Sequence, residues 1–239
     1  MVAYAEYIKR LHADADAIYE IAEEARSKGF DPRMSVEIPK ANDLADRTQK
    51  LLDFLHPRQT ADQIRELTKI YDGNRERVAI EIAKIVCAES YLFGKIVDCS
   101  DCGGSGEIKK GNWTSECYSC GGSGKDMGFK DEIGKYAWKD TLKSFSEAKK
   151  TGLWKQGDDT QFLSELAIYH GVCAGLAVLT EGILVAPLEG VVSARFITNA
   201  NSSNSLAISF AGPIRSAGGT GQALSVLIAD ILRRDFGLK

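Results

Sequence analysis

Apolar side chains return every three or four residues from about Ala3 to Lys28: Tyr4, Tyr7, Ile8, Leu11, Ile18, Ile21, Ala22 and Ala25. Lys9, Arg10, Asp14, Asp16, Glu20, Glu23 and Glu24 fall mostly on the other side, so the period is that of a long helix with one apolar stripe. Gly29 and Asp31-Pro32 predict its end. Ser35 to Pro39 alternates briefly and reads as an edge strand. A second helix is expected from Asp43 to Leu55, closed by Pro57. A third starts at Thr60, where Thr60-Ala61-Asp62-Gln63 has the form of a capping box. Ile64, Leu67 and Tyr71 make its stripe, and Gly73 ends it. A fourth, from about Asn74 to Val97, carries Val78, Ile82, Ile85, Val86 and Tyr91. The first hundred residues are therefore mostly helical, their stripes read as core faces and their charged faces as solvated.

The pattern changes twice further on. Residues 125–157 mix Tyr136, Trp138, Phe145 and Trp154 with many lysines. Interleaved bases and aromatics can bind single-stranded nucleic acid. The commoner outcome is a helix laid on the core with lysine stems along its apolar surface. Asp158-Asp159-Thr160 then opens a long helix to about Leu179. Cys173 on its apolar face and Cys87 read as buried hydrophobes, and His170 as a packed ring. His12 and His56 have no acidic or cysteine partner in the pattern. After Ile183 to Ala186 and Pro187, the run Val191 to Thr198 is predicted to pair with Leu206 to Ala211 across the Asn199–Asn204 turn. A glycine-rich stretch and a final helix follow.

These elements predict an α+β fold: a helix-rich N-terminal half, an inserted four-cysteine zinc knuckle, then a long helix with a small β-sheet and a C-terminal helix. The expected division is 1–97, 98–128 and 129–239, the outer two packing as one domain. The chain stops soon after a helix, at Arg233 to Lys239, as a piece of a longer protein or half of a split one would.

Composition adds limits. With 44% apolar and 26% charged residues the chain has the make-up of an ordinary globular protein. A net charge of −3 argues against a chain dedicated to coating nucleic acid, though it allows a local basic face. No apolar run of membrane-spanning length and no signal-peptide pattern are seen in the sequence, which predicts a cytoplasmic protein with no membrane partner.

The strongest local signal is a repeat. Cys99-Ser100-Asp101-Cys102-Gly103-Gly104-Ser105-Gly106 recurs as Cys117-Tyr118-Ser119-Cys120-Gly121-Gly122-Ser123-Gly124. Each C-x-x-C pair lets two thiolates reach one ion from a tight knuckle, and the glycines let amides turn toward the sulfurs. Cys99, Cys102, Cys117 and Cys120 together supply the four sulfurs of a tetrahedral structural zinc site. The gap between the pairs is slightly shorter than usual for a ribbon, yet leaves room for a hairpin through Gly111-Asn112 with Trp113 as a small hydrophobic plug. An iron–sulfur cluster is the competing metal reading, and a redox dithiol the weaker third. A closed site has no open position and implies no metal catalysis.

The second signal is Gly212-Pro213-Ile214-Arg215-Ser216-Ala217-Gly218-Gly219-Thr220-Gly221, read as a loop between a strand and a helix. Arg215, Ser216, Gly218, Gly219 and Thr220 are the candidates there for contact with a phosphate, DNA or a partner, through a planar cation and free amides at a helix start. A tight structural turn capped by Thr220 or Ser216 explains the same residues. The stretch is neither G-x-x-x-x-G-K-[ST] nor G-x-G-x-x-G. An enzyme of nucleotides or small anions built on it is the third functional reading.

The repeated C-x-x-C-G-G-S-G resembles the zinc knuckles of DnaJ-type co-chaperones. Those carry four repeats and a J-domain His-Pro-Asp; here there are two and none, so the likeness, over 99–124, supports the metal site alone. Thr180 to Gly190 and Gly212 to Leu227 together resemble the N-terminal region of the archaeal family D DNA polymerase large subunit. Tyr19-Glu20-Ile21-Ala22, Val36-Glu37-Ile38-Pro39 and Ile64-Arg65-Glu66-Leu67 agree with it. The likeness covers roughly 1–95 and 160–239, and the cysteine segment, about 96–158, looks like an insertion. The resemblance implies a replicative DNA-directed DNA polymerase, a nucleotidyltransferase of two subunits, whose small subunit is a proofreading exonuclease. The family's magnesium-binding aspartates lie far downstream, so no catalytic residue and no magnesium site is assigned in this chain. Its implied role is assembly: with the remainder of the large subunit, the small subunit or a second copy, with DNA-backbone contact as an addition. The alternative is a stand-alone zinc-binding protein-interaction or chaperone-like module.

Overall fold

Helices α4 (Arg75–Phe93) and α6 (Asp159–Leu179) make the most extensive contact between any two elements. This computed structural model describes residues 2–29, 43–52, 60–117, 120, 122–131, 133, 135–150, 152, 158–179, 190–217 and 219–237. The remaining elements are α1 (Val2–Ser27), α2 (Leu44–Leu52), α3 (Ala61–Ile70), β1 (Gly94–Asp98), β2 (Glu107–Lys110), β3 (Trp113–Glu116), β4 (Lys125–Phe129), α5 (Trp138–Lys149), β5 (Val191–Thr198), β6 (Asn204–Phe210), α7 (Gly212–Ala217) and α8 (Gly219–Asp235). The fold is α+β, helical in the main with small antiparallel sheets. The expected extended segments at 36–39 and 183–186 lie outside the described residues.

The two central helices start as short polar side chains dictate. The Asn74 side chain accepts from Arg77 N at 2.9 Å, and Asp158 Oδ1 accepts from Thr160 N at 2.8 Å, each satisfying a backbone donor that the first turn leaves open. Their axes approach closely because the facing residues are small. A Cβ added at Gly171 would lie 2.7 Å from the Ala83 carbonyl oxygen and 2.7 Å from Leu232 Cδ1. Around this contact Ile82, Ile85, Val86, Ile168, Val172 and Leu176 are fully buried, each contributing roughly 2 kcal/mol from burial. Leu52 and Leu67 close one end of the core, and Ile228, Ala229 and Leu232 of α8 another. Phe145 of α5 meets Tyr91 and Phe236 edge-on, with centroids 5.8 and 5.4 Å away.

α6 is apolar enough, by length and composition, to cross a membrane, which the sequence reading did not anticipate. Most of the qualifying window, 67%, is buried against the rest of the protein, as an all-round apolar helix in a core should be. Within it lies His170, buried, with Nδ1 3.0 Å from Ser90 Oγ and its ring 6.0 Å from that of Phe129. Burial lowers its pKa to about 4, because a desolvated imidazolium is unfavourable. Cys87 and Cys173 are buried too, and burial raises both thiols, Cys173 to about 12.

Several local expectations are corrected. The capping box at Thr60 does not form: Thr60 makes no side-chain cap bond. Gln49 of α2 takes that role instead, its Oε1 accepting from Thr60 N, from Thr60 Oγ1 at 3.0 Å and from Ala61 N at 3.2 Å. α4 ends at Phe93 rather than Val97, because Gly94 turns extended (φ −66°, ψ 147°) and starts β1. β1 pairs antiparallel with β4 from Gly94↔Phe129 to Asp98↔Lys125. The β5–β6 hairpin forms as expected, with a bulge between Val191 and Ser193. In α1, Ile21 is exposed, so the stripe read as a core face leaves this position in water. α5 lies on the core through Thr141 and Phe145, and Trp138 Nε1 donates to Glu66 Oε2 of α3 at 2.9 Å.

Two consequences are measurable. His170 is depressed in the folded state from its ordinary 6.5, so only the unfolded chain takes up this proton as pH falls. Its contribution is complete above about 6.5, is lost between 6.5 and 4, and amounts to about 3 kcal/mol over that window. Urea denaturation from pH 7 to 4 should show that loss, and His170→Gln should have a flatter curve over the same range. Gly171→Ala should destabilise by about 1–3 kcal/mol, because a carbonyl and two packed side chains must move. A thermal midpoint unchanged by that substitution would count against the close approach.

Candidate metal centre

β1 leaves the end of α4 and β4 returns beside it, with Lys130 N donating to the Phe93 carbonyl at 2.8 Å. This two-stranded stalk carries residues 99–124. Within them the sequence repeat becomes a near-exact local two-fold. Cys99 N donates to Gly124 O at 2.9 Å and Cys117 N to Gly106 O at 2.8 Å. Gly104 N reaches Cys99 O at 3.3 Å and Gly122 N reaches Cys117 O at 3.2 Å. Ser105 Oγ and Ser123 Oγ donate to the Cys102 and Cys120 carbonyls at 2.8 and 2.7 Å. Between the knuckles, β2 and β3 form the expected hairpin, with Gly111 at φ +61° in the first turn position, where glycine is favoured.

The repeat brings all four predicted sulfurs together. Cys99, Cys102, Cys117 and Cys120 place their Sγ atoms within 4.8 Å of one another. Cys99 to Cys117 is 3.9 Å and Cys102 to Cys120 is 3.7 Å. Metal–sulfur bonds of about 2.3 Å in a tetrahedron put sulfurs about 3.8 Å apart, so these two separations match a tetrahedral ion and the whole set lies close enough to share one. Gly106 N and Gly124 N each point at a sulfur, Cys102 Sγ and Cys120 Sγ, both at 3.3 Å. Such amides stabilise thiolate charge. Burial pushes the Cys102 thiol up, but the Gly106 amide and the neighbouring thiols outweigh it and bring it down to about 7. For Cys99 the Cys102 amide favours the thiolate, yet burial and the adjacent thiols of Cys102 and Cys117 prevail and raise it to about 11. Four soft donors with no open position suit a structural ion, zinc or iron by geometry.

The sequence did not reveal how the knuckles hold each other. A Cβ at Gly106 (φ +74°) would sit 2.3 Å from Gly122 O, and one at Gly124 (φ +70°) 2.2 Å from Gly104 O. Each knuckle is therefore packed on the backbone of the other, and the 18-residue offset of the repeat was the available signal. Trp113 is corrected: it is no plug but is 62% exposed at the hairpin tip.

The second candidate set is dispersed. Gly212–Ala217 is a short helix rather than a loop, followed by α8 from Gly219. Arg215, Gly219 and Thr220 are exposed, and Gln222 Nε2 donates to the Arg215 carbonyl at 3.3 Å. Gly218 and the Ser216 side chain lie outside what is described. The Cys102–Cys120 centre and Arg215 are thus separate features, with no element in common.

The profile of the family described as DNA polymerase II large subunit DP2, N-terminal, matches residues 6–98 and 148–239. It passes over 99–147, which holds the whole four-cysteine cluster. The chain is 37% identical over 235 residues to the DNA polymerase II large subunit of Pyrococcus furiosus, covering 98% of this chain and 13% of that protein. It is 33% identical over 233 residues to that of Methanococcus maripaludis, covering 98% and 14%. It is 35% identical over 234 residues to that of Thermococcus kodakarensis, covering 97% and 9%. The chain therefore spans only a small part, 9 to 14%, of these relatives.

Gly106→Ala should lower metal affinity by about 10- to 100-fold, because it displaces an amide that supports a ligand sulfur. Gly103→Ala, also at positive φ (+59°) but in open space, should lower it far less. Competition with a chromogenic chelator would rank the two variants.

Proposed function

The chain belongs to the archaeal family D DNA polymerase large subunits, as their N-terminal region, and from that premise we propose that it is an assembly module of a replicative DNA-directed DNA polymerase. Nucleotidyl transfer is carried out elsewhere in the assembly, by magnesium-binding carboxylates outside these 239 positions. Residues 1–97 and 129–239 act as one domain into which 98–128 is inserted. Cys99, Cys102, Cys117 and Cys120 hold a structural zinc ion that closes the insertion. The protein works in the cytoplasm. Its first partner is the remainder of the large subunit; the small exonuclease subunit and a second copy are further candidates. Arg215, Ser216, Gly218, Gly219 and Thr220 are assigned to contact with a partner or with the DNA backbone.

One observation carries the assembly role. The middle of α8, Ala223 to Leu232, carries apolar side chains on its outer side as well as on its core side. Here Ile228, Ala229 and Leu232 face the core, while Val226 and Leu227 are more than half exposed at 52% and 53%. Beside them a groove of about 310 Å³ opens between α8 and β6, lined by the apolar Leu206, Ile208, Val226 and Ala229 and by the polar Asn204, Ser205, Asp230 and Arg233. Val192 and Ile197 of β5 are exposed as well. A two-stranded sheet and a half-covered helix gain stability by packing against further chain. A stand-alone zinc-binding interaction module has the stalked four-cysteine cluster in its favour, but it leaves this apolar face without a use.

The reading is tested by hydrogen exchange on the 239-residue chain alone and within the complete large subunit. Amides of 222–232 should exchange at least tenfold more slowly in the complete subunit. The pair Val226→Asp and Leu227→Asp should weaken association with the rest of the subunit by at least about tenfold. Because both positions are exposed, stability should change by less than about 1 kcal/mol. Unchanged exchange together with unchanged association would refute the assembly role, as would nucleotide addition to primed DNA by this chain alone with magnesium.

A further inference from the structure

We propose that the face of the β2–β3 hairpin formed by Ile108, Lys110, Trp113 and Ser115 is a stacking platform for single-stranded DNA. The inference rests on the polymerase reading for the identity of the nucleic acid. The hairpin register pairs Lys110 with Trp113 and Ile108 with Ser115. Directly opposed residues share a face, and alternate pairs take opposite faces. Ile108, Lys110, Trp113 and Ser115 therefore lie together. Glu107, Lys109, Thr114 and Glu116 lie on the other side, and both acids of the hairpin are among them. The first face offers an indole and an ammonium with no carboxylate to repel a phosphate.

Trp113 is the exposed aromatic to use. Of the two large aromatics that stand more than half exposed among the described residues, Tyr136 already stacks on Phe93, with centroids 5.6 Å apart and planes 8° from parallel. Trp113 is 62% exposed at the tip, and Lys110 beside it is exposed. The platform is also pre-positioned. Its strands leave the two knuckles directly, Cys117 N is bonded to Gly106 O, and all four sulfurs gather at the hairpin base. A base stacked on the indole and a phosphate at Lys110 then need little ordering of the protein.

Size selects the partner. Four residues on a narrow hairpin fall far short of the roughly 800 Å² per partner that a stable protein interface buries. They match one or two nucleotides. The indole face requires an unstacked base, which single strands present and duplex does not. The segment lies in 99–147, outside the family profile, so the platform is an addition to the shared N-terminal region.

Anisotropy of a fluorescein-labelled dT12 oligonucleotide, titrated with the zinc-loaded chain, tests this directly. Trp113→Ala should weaken binding about 5- to 100-fold and Trp113→Phe should restore most of it, since any flat ring stacks. Lys110→Glu should weaken binding and flatten its salt dependence by about one phosphate contact. Thr114→Ala, on the opposite face, should change nothing. An oligonucleotide carrying 5-iodouracil should photocrosslink within 107–116 on the parental chain, a readout independent of any variant's folding. Binding by Trp113→Ala within twofold of parental at equal zinc content, crosslinks confined to other peptides, or no binding of dT12 by the parental chain would each overturn the platform. If the platform fails while 222–232 remain protected in the complete subunit, the assembly role stands. The reverse pattern sinks assembly and leaves the platform.

Discussion

The core of this protein is hung on the distance between α4 and α6. Gly171 and Gly175 on one helix face Ala79 and Ala83 on the other, so the two backbones approach until a single added methyl group would meet a carbonyl oxygen. That spacing buries both helices along most of their length and fixes where α8, α2 and α5 can pack. It also sets the direction in which the chain leaves α4 at Gly94. The stalk of β1 and β4, and with it the four-cysteine cluster, inherits its orientation from that exit.

The two halves of the molecule are stabilised by different physics. The helical body depends on apolar area removed from water. Among its described residues the knuckle segment has almost none: those buried are cysteines and glycines, and backbone bonds join the two copies of one motif. Its four sulfurs lie close enough to share one ion, and an ion held there would add the order that apolar burial supplies in the body. The family profile passes over the cluster, and over most of α5 as well.

Much of this was legible in the sequence where one period dominated. The long helices and the β5–β6 hairpin follow from stripes and alternation, and the cysteine cluster from a repeat that only a shared site explains. The misreadings share a cause, which is competition from a distant partner or an adjacent pattern. The expected fourth helix runs on to Val97, although Gly94 was the signal that it stops. Thr60 has the right neighbours for a capping box, but Gln49 arrives from another helix and takes the same donors. Glycines suggested a loop at 212–217, while Pro213, whose fixed φ suits a first helical turn, pointed the other way. Trp113 was assigned to an interior too small to hold it.

The pairing of Asp98 with Lys125 has a further consequence. The chain enters and leaves the cysteine segment at neighbouring points on one ribbon. A loop with coincident ends can be lengthened, shortened or excised without shifting either flank, because the scaffold feels only the gap between them. Acquisition or loss of such an appendage in a lineage would leave the surrounding architecture as it was, so this position is one where new chemistry can be grafted at little structural risk.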